Sequence, residues 1–248
     1  MSLHHHLDLE GAEVMQTEAF LLAERAARDV ATAGAIGVIH GVAGTGKTFA
    51  VQAAVDALPV PACCVQFPSR PSMLRIAQQL LHRLTGRKPA AGNRFELSDR
   101  LVDLLAEHDR LIVVDEAQWL TRECIECLRH LHDDPATRFG LLLVGGDGCW
   151  QVLLREPMLR SRLYRRVTFT PLSSRAVLAI VPRYHRLYAR ADPELLLAIN
   201  DRYAHGLFRH WAAFTHTAAA LCTDHDQPGV TADLAHAVFA LHGARRAA

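Results

Sequence analysis

Eight residues, Gly41-Val42-Ala43-Gly44-Thr45-Gly46-Lys47-Thr48, constrain what this chain can fold into more than any other stretch. They match G-x-x-x-x-G-K-[ST], the pattern of a phosphate-binding loop. The apolar run Ala35 to His40 ahead of them reads as a buried strand, and Phe49 to Leu58 behind them reads as a helix. That context is what the loop needs. Three glycines let backbone N–H groups turn inward around a polyphosphate, and the helix N-terminus adds a partial positive charge. Lys47 then reaches the β- and γ-phosphates, and the Thr48 hydroxyl is placed to ligate Mg²⁺. The only lysines are Lys47 and Lys88, so the ammonium at this position is not the product of a lysine-rich composition. The expected ligands are ATP and Mg²⁺.

Beyond the loop, strands and helices alternate. Strands are expected at Ala35–His40, Ala62–Gln66, Leu111–Asp115, Gly140–Val144 and Val167–Thr170. Helices fill the gaps at Phe49–Leu58, Ser72–Leu84, Phe95–Glu107, Arg122–His132 and Trp150–Leu163. Alternation of this kind predicts an α/β fold, a parallel five-stranded sheet sandwiched by helices. Short apolar strands such as Leu111-Ile-Val-Val suit positions covered on both faces. After Thr170-Pro171-Leu172 the pattern turns helical, with Ser173–Ala189, Pro193–Tyr203, Leu207–Cys222 and Thr231–Leu241, which predicts a small α-helical lid. Residues 1–14 read as a leader without fixed structure, 15–172 as the nucleotide-binding core and 173–248 as the lid with a C-terminal helix. His4-His5-His6 is given no function.

Leu111-Ile-Val-Val-Asp115-Glu116 is an apolar strand that ends in two carboxylates. Acidic residues at the carboxyl end of a central parallel strand face the crevice where such sheets bind ligands. Asp115 is expected to bind in the Mg²⁺ shell and Glu116 to polarise the attacking water, since phosphoryl transfer needs positioning more than covalent chemistry. A pair of carboxylates also suits the start of the following helix. Its place about seventy residues after Lys47 favours the catalytic reading.

With these motifs together the chain resembles a AAA+ ATPase, and the resemblance implies three further elements. A polar sensor is expected at the end of the fourth strand, where this chain has Gly145 and Gly146, leaving Asp147 as the polar candidate. An arginine completing a neighbouring subunit's site is expected just before the fifth strand, where Arg162, or else Arg160, occupies the place of the finger. A lid arginine that reads the phosphates is expected at Arg209, in Gly206-Leu-Phe-Arg209-His-Trp. Within the superfamily, Asp115-Glu-Ala-Gln118, Thr17 ahead of a leading helix, and Phe67-Pro-Ser-Arg-Pro-Ser72 resemble transposition regulators of the TnsC/TniB and phage Mu protein B type. That implies a homo-oligomer that binds double-stranded DNA non-specifically in the presence of ATP and recruits or stimulates a DDE-type transposase. A helicase-loader or replication-type AAA+ protein shares the same core, and a secretion-associated module of the ExeA type shares a similar Asp-Glu-Ala-Gln box. A signalling switch normally carries a large sensor domain, for which 248 residues leave little room.

Charge and cysteine usage bear on partners and compartment. The net charge is +1, yet Arg155 to Arg190 holds nine arginines against Glu156 alone, a local excess of +8. Arginines supply sequence-independent, salt-sensitive phosphate contacts, which suits duplex DNA. Subunit packing and an arginine-rich composition explain the stretch equally well. Six cysteines at this length do not make a disulfide framework. Cys124, Cys127, Leu128 and Leu131 fall at i, i+3, i+4 and i+7, a helix core stripe rather than a zinc site. No stretch is long and apolar enough to span a membrane, and the expected setting is a reducing cytoplasm.

Overall fold

The computed structural model describes residues 6–67, 69–88, 92–224 and 226–243. His4, His5 and Pro68, on which parts of the readings above fall, lie outside the described residues. In chain order the elements are α1 (Glu18–Ala33), β1 (Ile36–Gly41), α2 (Lys47–Asp56), β2 (Ala62–Gln66), α3 (Met73–Thr85), α4 (Arg94–Ala106), β3 (Arg110–Asp115), α5 (Arg122–Asp133), β4 (Phe139–Gly145), α6 (Cys149–Leu154), α7 (Pro157–Arg160) and β5 (Leu163–Phe169). Then follow α8 (Ser174–Tyr184), α9 (Pro193–Ile199), α10 (Phe208–Asp224) and α11 (Ala232–Leu241). The chain divides into two compact units. One holds residues 21–41 and 50–169, the other residues 1–20, 42–49 and 170–248.

The first unit is built on one five-stranded sheet in the order β2-β3-β4-β1-β5, with every neighbouring pair parallel. Parallel neighbours need crossover connections, and the helices expected from the sequence supply them. Every residue of β4 is buried, as are Leu111 to Val114 of β3, which is why these strands read as unbroken apolar runs. Polar side chains start the helices. Ser72 accepts from the Arg75 N–H at 3.2 Å, Thr121 from Cys124 at 3.3 Å, and Asn93 forms a reciprocal capping box with Glu96. Ile76, Leu80 and Leu81 of α3, Leu97, Leu101 and Leu105 of α4, and Ile125, Leu128 and Leu131 of α5 join the strand residues in one core. Cys124 lies in that core with its Sγ 3.0 Å from the Pro71 carbonyl, and all six cysteines are free thiols.

Two expected elements are corrected. One is the helix read as Ser173–Ala189, which ends at Tyr184 because His185 is extended at φ −154°, ψ 144° and a short turn over Arg186–Tyr188 follows. The other, read as Trp150–Leu163, is two short helices, α6 and α7, and β5 begins at Leu163, ahead of the expected Val167. Pro157 explains the break. It lacks an N–H and forces the preceding residue out of helical geometry, and Glu156 is extended at φ −108°, ψ 90°. Proline then restarts a helix from its first turn, as its fixed φ favours.

The second unit is helical, with Trp211, Tyr188 and Phe214 fully buried at its centre. Thr215 Oγ1 donates to the Trp211 carbonyl at 2.6 Å, so it accepts from the Tyr188 hydroxyl at 2.8 Å. The described part of the leader belongs to this unit and is fixed in place. Leu9 is buried in the helical core, Ala12 makes an antiparallel bridge to His185, and the Glu13 N–H donates to the Tyr184 carbonyl at 2.8 Å. One buried leucine and two backbone pairings leave little sequence signal, which is why residues 6–14 read as unstructured.

Candidate functional site

Gly41 closes β1 at φ +139°, and a Cβ there would lie 1.9 Å from the Phe169 carbonyl oxygen at the paired end of β5. Only glycine allows the chain to leave the strand in this direction. Val42, Ala43, Gly44, Thr45 and Gly46 form the loop, and Lys47 opens α2. The Val42 carbonyl accepts from Thr45 Oγ1 at 2.7 Å and from Lys47 Nζ at 2.8 Å. Thr45 and Lys47 are buried, and Thr48 is exposed at the second position of α2. An ammonium at the start of a helix is a strong charge-assisted donor to phosphate oxygens.

The unit that contains the loop also brings Arg209 to it. Asn200 Oδ1 accepts from the Gly206 N–H at 2.7 Å, and the Leu172 N–H donates to the Gly206 carbonyl at 2.9 Å, which fixes the turn that leads into α10. Arg209, the second residue of α10, donates its backbone N–H to the Gly44 carbonyl at 3.0 Å. Its Cβ stands 3.1 Å from where a Gly44 Cβ would be, and its side chain is exposed.

In the sheet unit, Asp115 closes β3 opposite Gln66, and its Oδ1 accepts from the Glu116 N–H at 2.8 Å. Glu116 adopts the left-handed conformation, φ 56° and ψ 37°, which is uncommon for a residue with a side chain. The chain then makes a short turn over Ala117–Trp119. Gln118 Nε2 donates to Glu116 Oε2, and Gln118 Oε1 accepts from the Gly146 N–H at 2.8 Å. The end of β4 therefore presents a backbone N–H engaged by Gln118, while Asp147 is exposed. Sequence reading used Gln118 only as part of a resemblance. The signal for its role is a carboxamide two residues after Glu116, in a chain whose fourth strand ends in two glycines.

The two finger candidates differ. Arg162 Nε pairs with Asp133 at 2.9 Å and its guanidinium also donates to the Met158 carbonyl at 2.9 Å. The exposed Arg160 side chain makes no such contact among the described residues. Within the arginine-rich stretch, Arg165 pairs with Asp29 at 2.9 Å and stacks on Tyr164. Arg166 stacks on Trp150 at 3.9 Å and donates to His40 at 3.0 Å. The stretch divides at Thr170 between the two units, so it is not one continuous basic element.

By their chemistry alone, the Thr48 hydroxyl and the Asp115 carboxylate each suit a hard cation. A threonine hydroxyl and a carboxylate are the oxygen ligands that Mg²⁺ takes alongside water and substrate phosphates. Among the described residues there is no cluster of three or more His, Cys, Asp or Glu that would hold a metal by itself.

A glycine loop between β1 and α2, in a parallel sheet of this order, defines a P-loop nucleoside-triphosphatase fold. The chain belongs to the AAA domain family, whose model matches residues 30–153, half of its length. No curated protein matches the sequence. Among solved structures, it is similar to the ORC2 protein of Aeropyrum pernix in ADPNP–ADP complexes, at 20% identity and a TM-score of 0.69, over 92% of this chain and 69% of that one. It is also similar to the Aeropyrum pernix ORC1 protein in complex with DNA, at 17% identity and a TM-score of 0.65, over 93% of this chain and 66% of that one. The RuvB Holliday junction branch migration motor of Thermotoga maritima aligns at 14% identity and a TM-score of 0.61, over 92% and 70% of the two chains. At these identities the likeness is one of fold.

Proposed function

We propose that this chain binds ATP with Mg²⁺, hydrolyses it, and assembles as a homo-oligomer on duplex DNA, where it recruits or stimulates a DDE-type transposase. In this reading Lys47 and the loop N–H groups hold the β- and γ-phosphates, and Arg209 reads them from the lid. Thr48 and, through water, Asp115 hold the Mg²⁺, which when bound neutralises charge on the phosphate oxygens. Glu116 orients the attacking water and accepts its proton. Arg160 or Arg162 completes a neighbouring subunit's site. Of the two, the exposed Arg160 is the readier, because Arg162 would first have to give up its ion pair with Asp133. The observation that carries the nucleotide reading is the seating of Arg209 against Gly44 of the loop.

The DNA reading is supported by the arginine excess and by the DNA complex of a fold relative. The transposase reading is supported by the Asp115-Glu-Ala-Gln118 box and its flanking motifs. A replication-type role is the second reading, favoured by the likeness of fold to origin recognition proteins. Purified protein, ATP, duplex DNA and a DDE-type transposase test the first reading. Stimulated strand transfer supports it. ATP-dependent DNA binding that leaves the transposase unaffected but loads a helicase favours the second.

A further inference from the structure

In a AAA-type site the fourth strand is expected to end in a polar side chain, and here it ends in Gly145 and Gly146. We propose that Gln118 takes over that task as a positioning residue for ATP hydrolysis, holding the Glu116 carboxylate and tying it to the end of β4. The inference rests on the proposal that Glu116 orients the attacking water.

Donor and acceptor chemistry fixes how Gln118 sits. A backbone N–H only donates and an ionised carboxylate only accepts, so the carboxamide satisfies both neighbours in one orientation, oxygen to Gly146 and nitrogen to Glu116. The same side chain fills the space that a residue at the end of β4 would need. A Cβ on Gly145 would stand 2.7 Å from Gln118 Oε1 and 2.4 Å from Cys149 Sγ, so Gln118 and a side chain at position 145 exclude each other. At position 146 a Cβ would meet Gln118 only in ordinary contact, at 3.6 Å from Nε2, so the crowding is confined to position 145, where Cys149 and Gln118 share the space.

The turn carrying Gln118 is rigid enough for the task. Ala117 and Leu120 on either side are buried in the same core as Cys149 and the residues of β4. The Trp119 N–H donates to the Glu116 carbonyl at 3.0 Å. Glu116 itself leaves the strand in a left-handed backbone conformation, and its side chain has three torsions to fix. A tether from Gln118 restricts the carboxylate to one region, and misplacement of a reacting group by about 1 Å costs on the order of 100-fold in rate.

The experiment uses the full chain with selective ¹⁵N-glycine labelling, fluorescent ATP-analogue binding and single-turnover hydrolysis. Gln118→Ala is expected to shift the Gly146 amide resonance and to lower the hydrolysis rate by about 10- to 100-fold. Nucleotide affinity should stay within about twofold, because Gln118 shapes the water-orienting group and not the phosphate grip. In a Glu116→Gln background, Gln118→Ala should add no further loss, as residues acting through one another do not multiply. If Gln118→Ala does not fold, the isosteric Gln118→Glu serves. It faces Glu116 with a like charge and should also lose rate while binding nucleotide. Full turnover in either folded variant, or losses that multiply in the double variant, would overturn the inference while leaving the base assignment standing. Normal turnover of Glu116→Gln alone would remove the base assignment and this inference with it.

Discussion

At the scale of single residues, the clearest demands fall on Gly41, Lys47 and Glu116. Gly41→Ala would drive a Cβ into the Phe169 carbonyl at the β1–β5 pair, at a φ that L-residues rarely adopt. Neither backbone yields cheaply, so a loss of at least about 3 kcal/mol is expected, visible as a large fall in thermal midpoint or as insoluble protein. Lys47→Ala should abolish nucleotide binding, because the loop then lacks its cation. Glu116→Gln should keep ATP binding and lose turnover by about 10²- to 10⁴-fold, the usual worth of a positioned acid or base. Rapid ATP turnover by Glu116→Gln protein would contradict that assignment. The glycine loop and the Asp115–Glu116 pair were legible because a contiguous pattern encodes each of them. Gln118 was not. Its partner Gly146 is distant in the sequence, and only the pairing of β3 with β4 brings them together.

At the scale of elements, the sequence foretold most of the sheet unit because its central strands β1, β3 and β4 are buried on both faces and several of its helices carry their own caps. β2 falls on the residues expected from its apolar run, and α3, α4 and α5 start beside the polar residues that cap them. The misread segment between β4 and β5 shows what apolar periodicity omits. Pro157 sits inside an otherwise helical pattern, and the break it causes also places Arg160 and Arg162 in different surroundings. That difference is testable. Arg160→Ala should cost hydrolysis in the assembled protein without lowering stability. Arg162→Ala should mainly lower stability by releasing Asp133, by about 1 kcal/mol or less for a half-exposed pair. In the helical unit, His185 holds the leader. Its Nδ1 accepts from the Leu187 N–H, so the ring is neutral with its Nε2–H directed at the Glu10 carbonyl at 3.1 Å. Burial lowers its pKa below the ordinary 6.5, so the unfolded chain binds a proton more readily. The stability from this contact is therefore complete above about pH 6.5 and is lost as pH falls through the lower folded value. Urea unfolding across pH 5 to 8 should show a shallower acid-side decline in His185→Gln than in the parent protein.

At the scale of the whole molecule, the chain is a AAA-family protein with no helix long and apolar enough to cross a membrane among the described residues. What it acts on was the least legible part of the sequence, because phosphate contacts carry no pattern and arginine is abundant throughout the chain. Arg165 and Arg166 illustrate this, since internal contacts with Asp29, His40 and Trp150 engage them. If the exposed arginines contact DNA, Arg155→Ala should weaken duplex binding more than Arg165→Ala does. The salt slope should fall by roughly one for each lost contact. A shared site also predicts that hydrolysis per chain rises with protein concentration, and that Lys47→Ala protein restores activity to an Arg160→Ala/Arg162→Ala double variant. The most direct measurement of the central claim is equilibrium binding of the full chain to duplexes of unrelated sequence, with and without a slowly hydrolysed ATP analogue, across a range of salt. The account predicts analogue-dependent binding that is indifferent to sequence, falls steeply with salt and is absent in Lys47→Ala protein. Nucleotide-loaded oligomers that fail to bind duplex DNA at low salt would contradict it.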